Sequence, residues 1–151
     1  MSIENKIQRD FSLSAFTTMG VYARTSFFVE VDSISELKEA VNFAKINSLK
    51  ILVLGGGSNL LFIEDFDGIV ILNSIKGKEF ISETDLKVSG GENWHELVLF
   101  CVENGLWGIE NLSLIPGSVG ASPIQNIGAY GVELKDVFVS LEAFMISTGE
   151  I

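Results

Sequence analysis

The sequence has few of the residues that mark metal sites, disulfide frameworks and nucleic-acid surfaces. Its 151 residues include one cysteine, one histidine and two prolines, and 10 Lys and Arg stand against 20 Asp and Glu. The lone His95 starts a predicted helix, and we expect neither a metal cluster nor a histidine-centred catalytic triad. Because the basic residues are scattered and the net charge is −10, nucleic-acid binding is not expected.

Long apolar runs are also missing. The longest apolar pieces, such as "ILVL" and "GIVIL", fall well short of the roughly 18 residues that a membrane-spanning helix needs. The start, "MSIENKIQRDF", mixes both signs of charge and has no apolar core, which excludes a signal peptide and predicts a cytoplasmic location without a membrane partner. An apolar content of 47% is nevertheless ample for a packed interior.

The first half of the chain predicts a lobe with the element order β-α-β-β, assigned to residues 1–74. A strand at Ser26–Val31 precedes a helix whose capping box is Ser33 and Glu36. A buried strand at Ile51–Leu54 then runs into a glycine loop, and "FDGIVILN" forms the next strand.

The second half, residues 75–151, predicts a smaller lobe and completes an α+β fold. A hairpin turns around Glu83–Asp85, and a helix follows at about Trp94–Glu103. The stretch Val137–Ile146 predicts a final strand, with a turn at Thr148 and Gly149. Since such a turn usually leads into a partner strand, we expect this lobe to be truncated and a C-terminal substrate domain to be absent from the chain.

Three successive glycines in "LGGGSN", Leu54–Asn59, form the first candidate ligand site. Glycines let a backbone approach a ligand closely, and their N–H groups can cradle a pyrophosphate in an otherwise acidic chain. The segment is neither a P-loop, because no Lys-Ser or Lys-Thr pair follows, nor a Rossmann fingerprint, because the glycine spacing differs. A flexible turn is the alternative; three glycines favour ligand contact.

The stretch "IPGSVGASPIQNIGAYG", Ile115–Gly131, is the second candidate and contains both prolines of the chain. Prolines hold a backbone in one shape, and glycines permit close approach. No charged residue occurs from Leu112 to Val132, so the stretch suits a neutral wall against a large ligand. A buried irregular loop that satisfies its own backbone fits the composition equally well, and both interpretations stay open.

Some conspicuous side chains are predicted to be structural. Cys101 lies among apolar neighbours in a predicted helix, which favours a small core residue over a nucleophile. Trp94 and Trp107 are predicted as core residues and not as a cofactor stack.

The segments "LGGGSNLLF", "GGENWHELV" and "NLSLIPGSVGASPIQNIGAYGVEL" together resemble the UDP-N-acetylenolpyruvoylglucosamine reductase (MurB) family of bacterial peptidoglycan synthesis. The resemblance covers nearly all of the chain in order. It implies a flavoprotein fold of the vanillyl-alcohol-oxidase/PCMH type, with FAD held non-covalently between two α+β lobes. Near the N-terminus the family commonly has an Asn-Thr pair, and Thr17 stands here where Asn is expected.

The resemblance also implies which residues bind FAD. The pyrophosphate would be contacted by the glycine loop, and the cofactor site would continue along the proline-glycine stretch towards the flavin ring. Gln125 and Tyr130 would lie towards the substrate. The complete set of implied cofactor-binding residues is Gly55, Gly56, Gly57, Ser58, Asn59, Ile115, Pro116, Gly117, Ser118, Gly120, Ala121, Ser122, Pro123, Gln125, Asn126, Ile127, Gly128 and Tyr130.

The family reaction implied by this likeness uses NADPH to reduce FAD, after which hydride passes to the enolpyruvyl double bond of a UDP-sugar. The family's proton-donating serine, its partner glutamate and an enolate-stabilising arginine follow the last strand predicted here. No catalytic residue is therefore assigned in this chain, and Ser118 and Ser122 are counted with the cofactor motif. We expect the chain alone to be inactive.

Two other functions remain open. The chain could belong to another flavin oxidase on the same fold; many of these tether FAD through histidine, and His95 lies outside both candidate loops. Alternatively, it could be a flavin-binding module without redox turnover. A spectrum with added FAD, and the mass of the denatured chain, would separate these possibilities.

Overall fold

A four-stranded sheet forms the first half of the computed structural model, which describes residues 2–151. Its strands are β1 (Gln8–Ser12), β2 (Arg24–Val31), β3 (Lys50–Leu54) and β4 (Phe66–Asn73), in the spatial order β1-β2-β4-β3. β1 is antiparallel to β2, whereas β2, β4 and β3 run parallel. The carboxyl ends of the three parallel strands therefore meet at one edge, where loops can build a binding site.

Helix α1 (Ile34–Ile46) covers one face of this sheet. It begins at the N-cap Ser33, whose Oγ accepts a hydrogen bond from the Glu36 N–H at 3.2 Å. The buried residues shared by helix and sheet form the first core: Ile3, Val29, Val31, Ala40, Val41, Ala44, Ile69 and Ile71. Burial of these alternating strand residues fixes which face of the sheet the helix covers.

The opposite face of the sheet is closed by side chains from the N-terminal segment. Leu13 and Leu54 are fully buried there beside Phe28 and Val70. The rings of Phe11 and Phe28 stack with centroids 4.1 Å apart. This second core holds the segment that precedes β2 against the carboxyl end of β3.

The second half of the chain has shorter strands around a third core. A hairpin of β5 (Lys78–Phe80) and β6 (Leu86–Val88) leads to α2 (Trp94–Glu103), which is followed by α3 (Ser122–Gln125) and a hairpin of β7 (Gly128–Ala129) and β8 (Val132–Glu133). The core consists of Trp94, Leu97, Val98, Cys101, Leu112 and Leu134. No helix within residues 2–151 combines the length and apolarity required to cross a membrane.

Several predicted elements are confirmed. α2 has its predicted bounds, β4 spans all eight residues of "FDGIVILN", and the β5–β6 hairpin turns where expected. Trp94 is buried, and its Nε1 donates to the Leu112 carbonyl at 2.8 Å, so it is a core residue. Cys101 is also buried, as predicted.

Other predictions are wrong. The final strand is absent: the backbone between Val137 and Ile146 has no strand partner within residues 2–151, and β propensity alone does not form a strand. β3 is not a buried strand, because it lies at the sheet edge, where Val53 is 47% exposed. Trp107 is not in the core but 71% exposed. β1, which has polar residues on both sides of one phenylalanine, was not predicted.

The segment 137–151 instead lies along the surface as irregular backbone. Phe144 packs against the first core, Lys45 Nζ donates to the Ser147 carbonyl at 3.0 Å, and Lys87 Nζ pairs with a carboxylate oxygen of Glu142 at 2.8 Å. The turn predicted near Gly149 does form, with the Gly149 N–H donating to the Met145 carbonyl at 2.7 Å.

Candidate functional site

The glycine loop (Gly55–Asn59) lies directly after β3, at the carboxyl edge of the parallel strands. Gly57 has φ +63°, a left-handed conformation that glycine adopts without strain. A Cβ added to Gly56 would lie 2.8 Å from Gly117 Cα, and one added to Gly55 would overlap Ser118 Oγ. Part of the reason for three glycines is therefore the close approach of the proline-glycine stretch.

The same loop leaves a run of backbone donors without protein acceptors. Within residues 2–151, none of the N–H groups of residues 55–59 donates a hydrogen bond. Consecutive unpaired N–H groups around a left-handed residue form a concave anion-binding nest. The N–H groups of the predicted phosphate cradle are therefore not used by other described residues.

A third segment, Phe16–Thr18, closes the loop from the N-terminal side. The Thr18 N–H donates to the Gly57 carbonyl at 3.2 Å, and Thr18 Oγ1 donates to the Ser58 carbonyl at 3.4 Å. A Cβ on Gly57 would overlap the Phe16 carbonyl. Sequence reasoning found Thr17 and Thr18 only through the family pattern, because no local signal says that this segment packs against residues 40 positions away.

The proline-glycine wall (Ile115–Gly128) meets the glycine loop through two side-chain hydrogen bonds. Ser58 Oγ donates to the Pro116 carbonyl at 3.2 Å, and Asn59 Nδ2 donates to Gln125 Oε1 at 2.9 Å. The space left between the two segments is a cavity of about 20 Å³, lined by Ser58, Trp94, Pro116, Gly117, Ser118, Ala121, Ser122, Gln125 and Ile127. The structure therefore brings the two predicted motifs together into one surface.

Local hydrogen bonds hold the backbone of the wall. Ser122 is buried and its Oγ donates to the Val119 carbonyl at 2.7 Å, while Pro123 stands in the first turn of α3. α3 ends at Gln125, and its C-cap Asn126 has φ +44° and accepts the Lys135 N–H at 3.0 Å through its Oδ1. The irregular-loop and ligand-wall interpretations are thus compatible, since the loop satisfies much of its own backbone and still presents a surface.

Tyr130 lies at the tip of the β7–β8 hairpin, away from the contact between the motifs. It is 89% exposed, has φ +53°, and forms no side-chain hydrogen bond within residues 2–151. An open depression of about 670 Å³ runs beside this hairpin, lined by Asn126, Gly128, Ala129, Gly131, Val132, Glu133, Lys135 and Asp136. Four other predicted residues contribute backbone and packing to the wall: Ile115, Gly120, Ile127 and Gly128. Of these, Gly120 approaches Gly90 closely.

The surroundings of His95 and Cys101 are typical of residues with a structural role. His95 Nδ1 accepts the Leu114 N–H at 3.2 Å, which places the proton of the neutral ring on Nε2 and holds the residue before the wall. Burial raises the pKa of the Cys101 thiol, although the charge of Lys78 opposes this. In the part of the chain that the structure describes, no three His, Cys, Asp or Glu residues are grouped to hold a metal ion.

Glu92 is a residue near the site that sequence reasoning missed. Its carboxylate is buried, accepts the Gly77 N–H at 2.9 Å and pairs with Lys78 Nζ at 2.9 Å, while its carbonyl accepts the Val119 N–H of the wall. Burial by itself raises the pKa of Glu92, but these hydrogen bonds and the charges of Lys78 and Lys76 outweigh it and lower the pKa. The only available signal was an acidic residue between two glycines and a helix N-cap.

Comparison with known proteins identifies the kind of domain. Residues 25–151 match the protein family described as "FAD binding domain". A UDP-N-acetylenolpyruvoylglucosamine reductase of Amoebophilus asiaticus is 52% identical over 149 residues, which are 96% of this chain and 44% of that protein. The protein of the same name from Flavobacterium johnsoniae is 46% identical over the same shares of each chain.

A solved structure has a similar fold. The crystal structure of the reductase named MurB from Thermus caldophilus matches with a TM-score of 0.65 and 29% identity, covering 84% of this chain and 44% of that chain. The chain thus spans less than half the length of the curated relatives that it matches.

Proposed function

The chain belongs to the FAD binding domain family, and from this premise we propose that it is the FAD-binding portion of a UDP-N-acetylenolpyruvoylglucosamine reductase. The reductase would use NADPH and act on the enolpyruvyl group of a UDP-sugar in peptidoglycan precursor synthesis. The proposal includes a cytoplasmic location, where NADPH and nucleotide sugars are available.

The unpaired N–H groups of the glycine loop are the observation that supports this proposal most directly. FAD carries a pyrophosphate, and the nest supplies several donors without any basic side chain. This matters because the chain has a net charge of −10 and no cationic cluster in the loop. The donor set therefore fits a dinucleotide better than it fits a neutral ligand.

The residues proposed to hold the cofactor are those implied by the resemblance. Gly55–Asn59 would bind the pyrophosphate, and Ile115–Gly128 would continue the site towards the flavin ring. Gln125 and the exposed Tyr130 would lie on the substrate side. We further propose the two-lobed vanillyl-alcohol-oxidase/PCMH arrangement, with lobes at 1–74 and 75–151 and the substrate domain supplied by a further segment.

Within this function, the chain's own residues would bind FAD and orient it. Bound FAD would carry hydride from NADPH to the substrate. The N–H groups of the glycine loop would hold the negatively charged pyrophosphate in place. The loop glycines would keep side chains away from the path by which the cofactor approaches the backbone. The wall, held by Ser58 and Asn59, would present a neutral surface that excludes water from one side of the site.

The chain is expected to bind FAD without turning over substrate. The two motifs contain the buried hydroxyls of Ser118 and Ser122, and Ser122 donates its hydroxyl proton to the Val119 carbonyl. We assign neither as a general acid, because the resemblance counts both with the cofactor motif. The share of 44% of the relatives' length favours a binding portion whose acid-base groups are supplied elsewhere. A wholly non-catalytic module is the alternative.

A titration that compares FAD with riboflavin tests the proposal. We expect FAD fluorescence to be quenched on binding, FAD to be released intact on denaturation, and riboflavin, which lacks the pyrophosphate, to bind far more weakly. Equal binding of both ligands would contradict the role of the nest, and no binding of either would contradict the function. NADPH oxidation that depends on the UDP-sugar should appear only when the missing portion is added.

A further inference from the structure

Glu92 stands between Gly91 and the α2 N-cap Asn93, and its carboxylate is almost wholly buried. The side chain is 8% exposed, and a buried carboxylate is stable only when its charge and its acceptor oxygens are satisfied. Oε1 accepts the Gly77 N–H at 2.9 Å, Oε2 pairs with Lys78 Nζ at 2.9 Å, and Lys76 Nζ lies 4.0 Å from Oε2. The carboxylate therefore ties the start of β5 to the residues before α2.

The backbone of the same short segment holds the proline-glycine wall. The Glu92 carbonyl accepts the Val119 N–H at 2.9 Å, and the Gly90 carbonyl accepts the Gly120 N–H at 2.8 Å. In the opposite direction, the Trp94 N–H donates to the Gly117 carbonyl at 3.1 Å. Three hydrogen bonds thus join residues 90–94 to residues 117–120.

The wall depends on these bonds because it has few side chains with which to pack. Residues 117–121 are Gly, Ser, Val, Gly and Ala, and Pro116 lacks an N–H. Gly90 and Gly120 touch backbone to backbone, since a Cβ on Gly120 would lie 3.0 Å from Gly90 Cα. Glu92 belongs to none of the three apolar cores, so its anchor is electrostatic.

We propose that Glu92 is a positioning residue for FAD binding: its carboxylate, held by Gly77 and Lys78, sets the backbone carbonyl that holds Val119 in the wall. This inference rests on the proposed function, because it concerns the geometry of the same cofactor site. Glu92 acts through the wall, and its partner Lys78 acts in the same way by holding the Glu92 carboxylate. Removing the charge of either residue releases the wall without removing any group from the glycine loop.

The chain provides a matched control in Glu36. That carboxylate also pairs with a lysine, Lys6, and also accepts a backbone N–H, that of Asp32 at 3.1 Å. It lies in the first turn of α1, far in sequence from the wall. Glu36→Gln therefore removes a comparable ion pair at a helix start without touching residues 90–94 or 117–120.

The test measures FAD dissociation constants and amide hydrogen exchange in the chain and in the variants Glu92→Gln, Lys78→Gln and Glu36→Gln. We expect Glu92→Gln and Lys78→Gln each to weaken FAD binding about tenfold and to speed exchange of the Val119 and Gly120 amides without FAD. Glu36→Gln should leave both quantities unchanged. The Leu49 N–H, which donates to the Ala44 carbonyl at 2.9 Å, serves as the internal reference for exchange.

The outcomes separate the inference from the function on which it rests. If the unchanged chain binds no FAD, the proposed function fails; if it binds FAD and the Glu92 and Lys78 variants bind equally well, the positioning role is wrong. Equal weakening in Glu36→Gln would also overturn it, because the effect would then be general destabilisation. Should Glu92→Gln fail to fold, Lys78→Gln decides, since it leaves the Gly77 N–H bond to the carboxylate in place.

Discussion

The side-chain amide of Asn59 donates a hydrogen bond to Gln125 Oε1 across 2.9 Å, joining two residues that are 66 positions apart. Asn59 ends the glycine loop, and Gln125 ends α3 in the proline-glycine wall. With the Ser58 Oγ bond to the Pro116 carbonyl, it holds the two motifs in one surface. Cooperation between the motifs can therefore be measured through this pair.

We expect Asn59→Ala and Gln125→Ala to be energetically coupled in FAD binding. Each single variant should lose the shared hydrogen bond, so the double variant should lose less than the sum, by about 0.5–1.5 kcal/mol. FAD dissociation constants of the four proteins give this coupling energy. Asn47 bonds the Phe43 carbonyl at a distance from the site, and Asn47→Ala should add to Gln125→Ala without coupling. Strict additivity of Asn59 and Gln125 would show that the bond does not connect the motifs.

Gly57→Ala should disrupt both stability and FAD binding, because it combines a left-handed φ of +63° with overlap against the Phe16 carbonyl. Gly105 has a similar φ of +72° but nothing within 4 Å of an added Cβ, so Gly105→Ala isolates the conformational cost of about 1 kcal/mol. Urea unfolding should show a clearly larger loss for Gly57→Ala, and only that variant should lose FAD. Matching losses in the two variants would exclude a packing role for Gly57.

Acid should weaken the fold partly through Glu92. Its pKa in the folded chain is lowered, despite burial that raises it, by hydrogen bonds from Lys78 and Gly77 and by the charges of Lys78 and Lys76. The stabilisation is therefore complete above the pKa that Glu92 has in the unfolded chain and disappears as pH falls through its lowered pKa in the folded chain. The measurement is the free energy of unfolding of the chain and of Glu92→Gln at several pH values. The difference between the two free energies should be large at neutral pH and should shrink in acid. A constant difference would mean that Glu92 does not titrate in this window.

Cys101 should react slowly with thiol reagents while the chain is folded. The residue is 6% exposed in the third core, and burial raises its thiol pKa although the charge of Lys78 opposes this, so little accessible thiolate is present at neutral pH. Labelling should reach completion only on unfolding in urea. Cys101→Ser should cost about 1–3 kcal/mol if its hydroxyl finds no partner in that core. Rapid labelling of the native chain would show that the core opens.

Several elements could be predicted from local pattern, and others could not. α2 carries apolar residues at helical spacing behind an Asn N-cap, and β4 contains the apolar run "GIVIL", so both have their predicted bounds. The failed strand at 137–146 has strand-like composition but no neighbouring strand among the described residues, and pairing is a tertiary property. β1 was missed for the opposite reason, because β2 supplies the hydrogen bonds that its own polar sequence does not suggest.

The candidate site, too, could be predicted from the sequence only in part. Its glycines and prolines were visible as an unusual composition, but composition could not distinguish a ligand wall from a self-satisfied loop. Gly56 lies against Gly117 and Gly57 lies against the Phe16 carbonyl, so these contacts join segments about 60 and about 40 positions apart. Such contacts depend on where the sheet and the third core place each loop, which no local pattern encodes.

The sequence by itself determined the main helices, the strands β2, β3 and β4, the family likeness and the two motifs, because periodicity, capping and glycine content act within a few residues. Only the tertiary structure decided that β3 lies at an edge, that Trp107 is exposed, that Phe16–Thr18 closes the glycine loop, and that Glu92 anchors the wall. The reason is that burial, strand pairing and compensation of a buried charge depend on distant residues meeting in space.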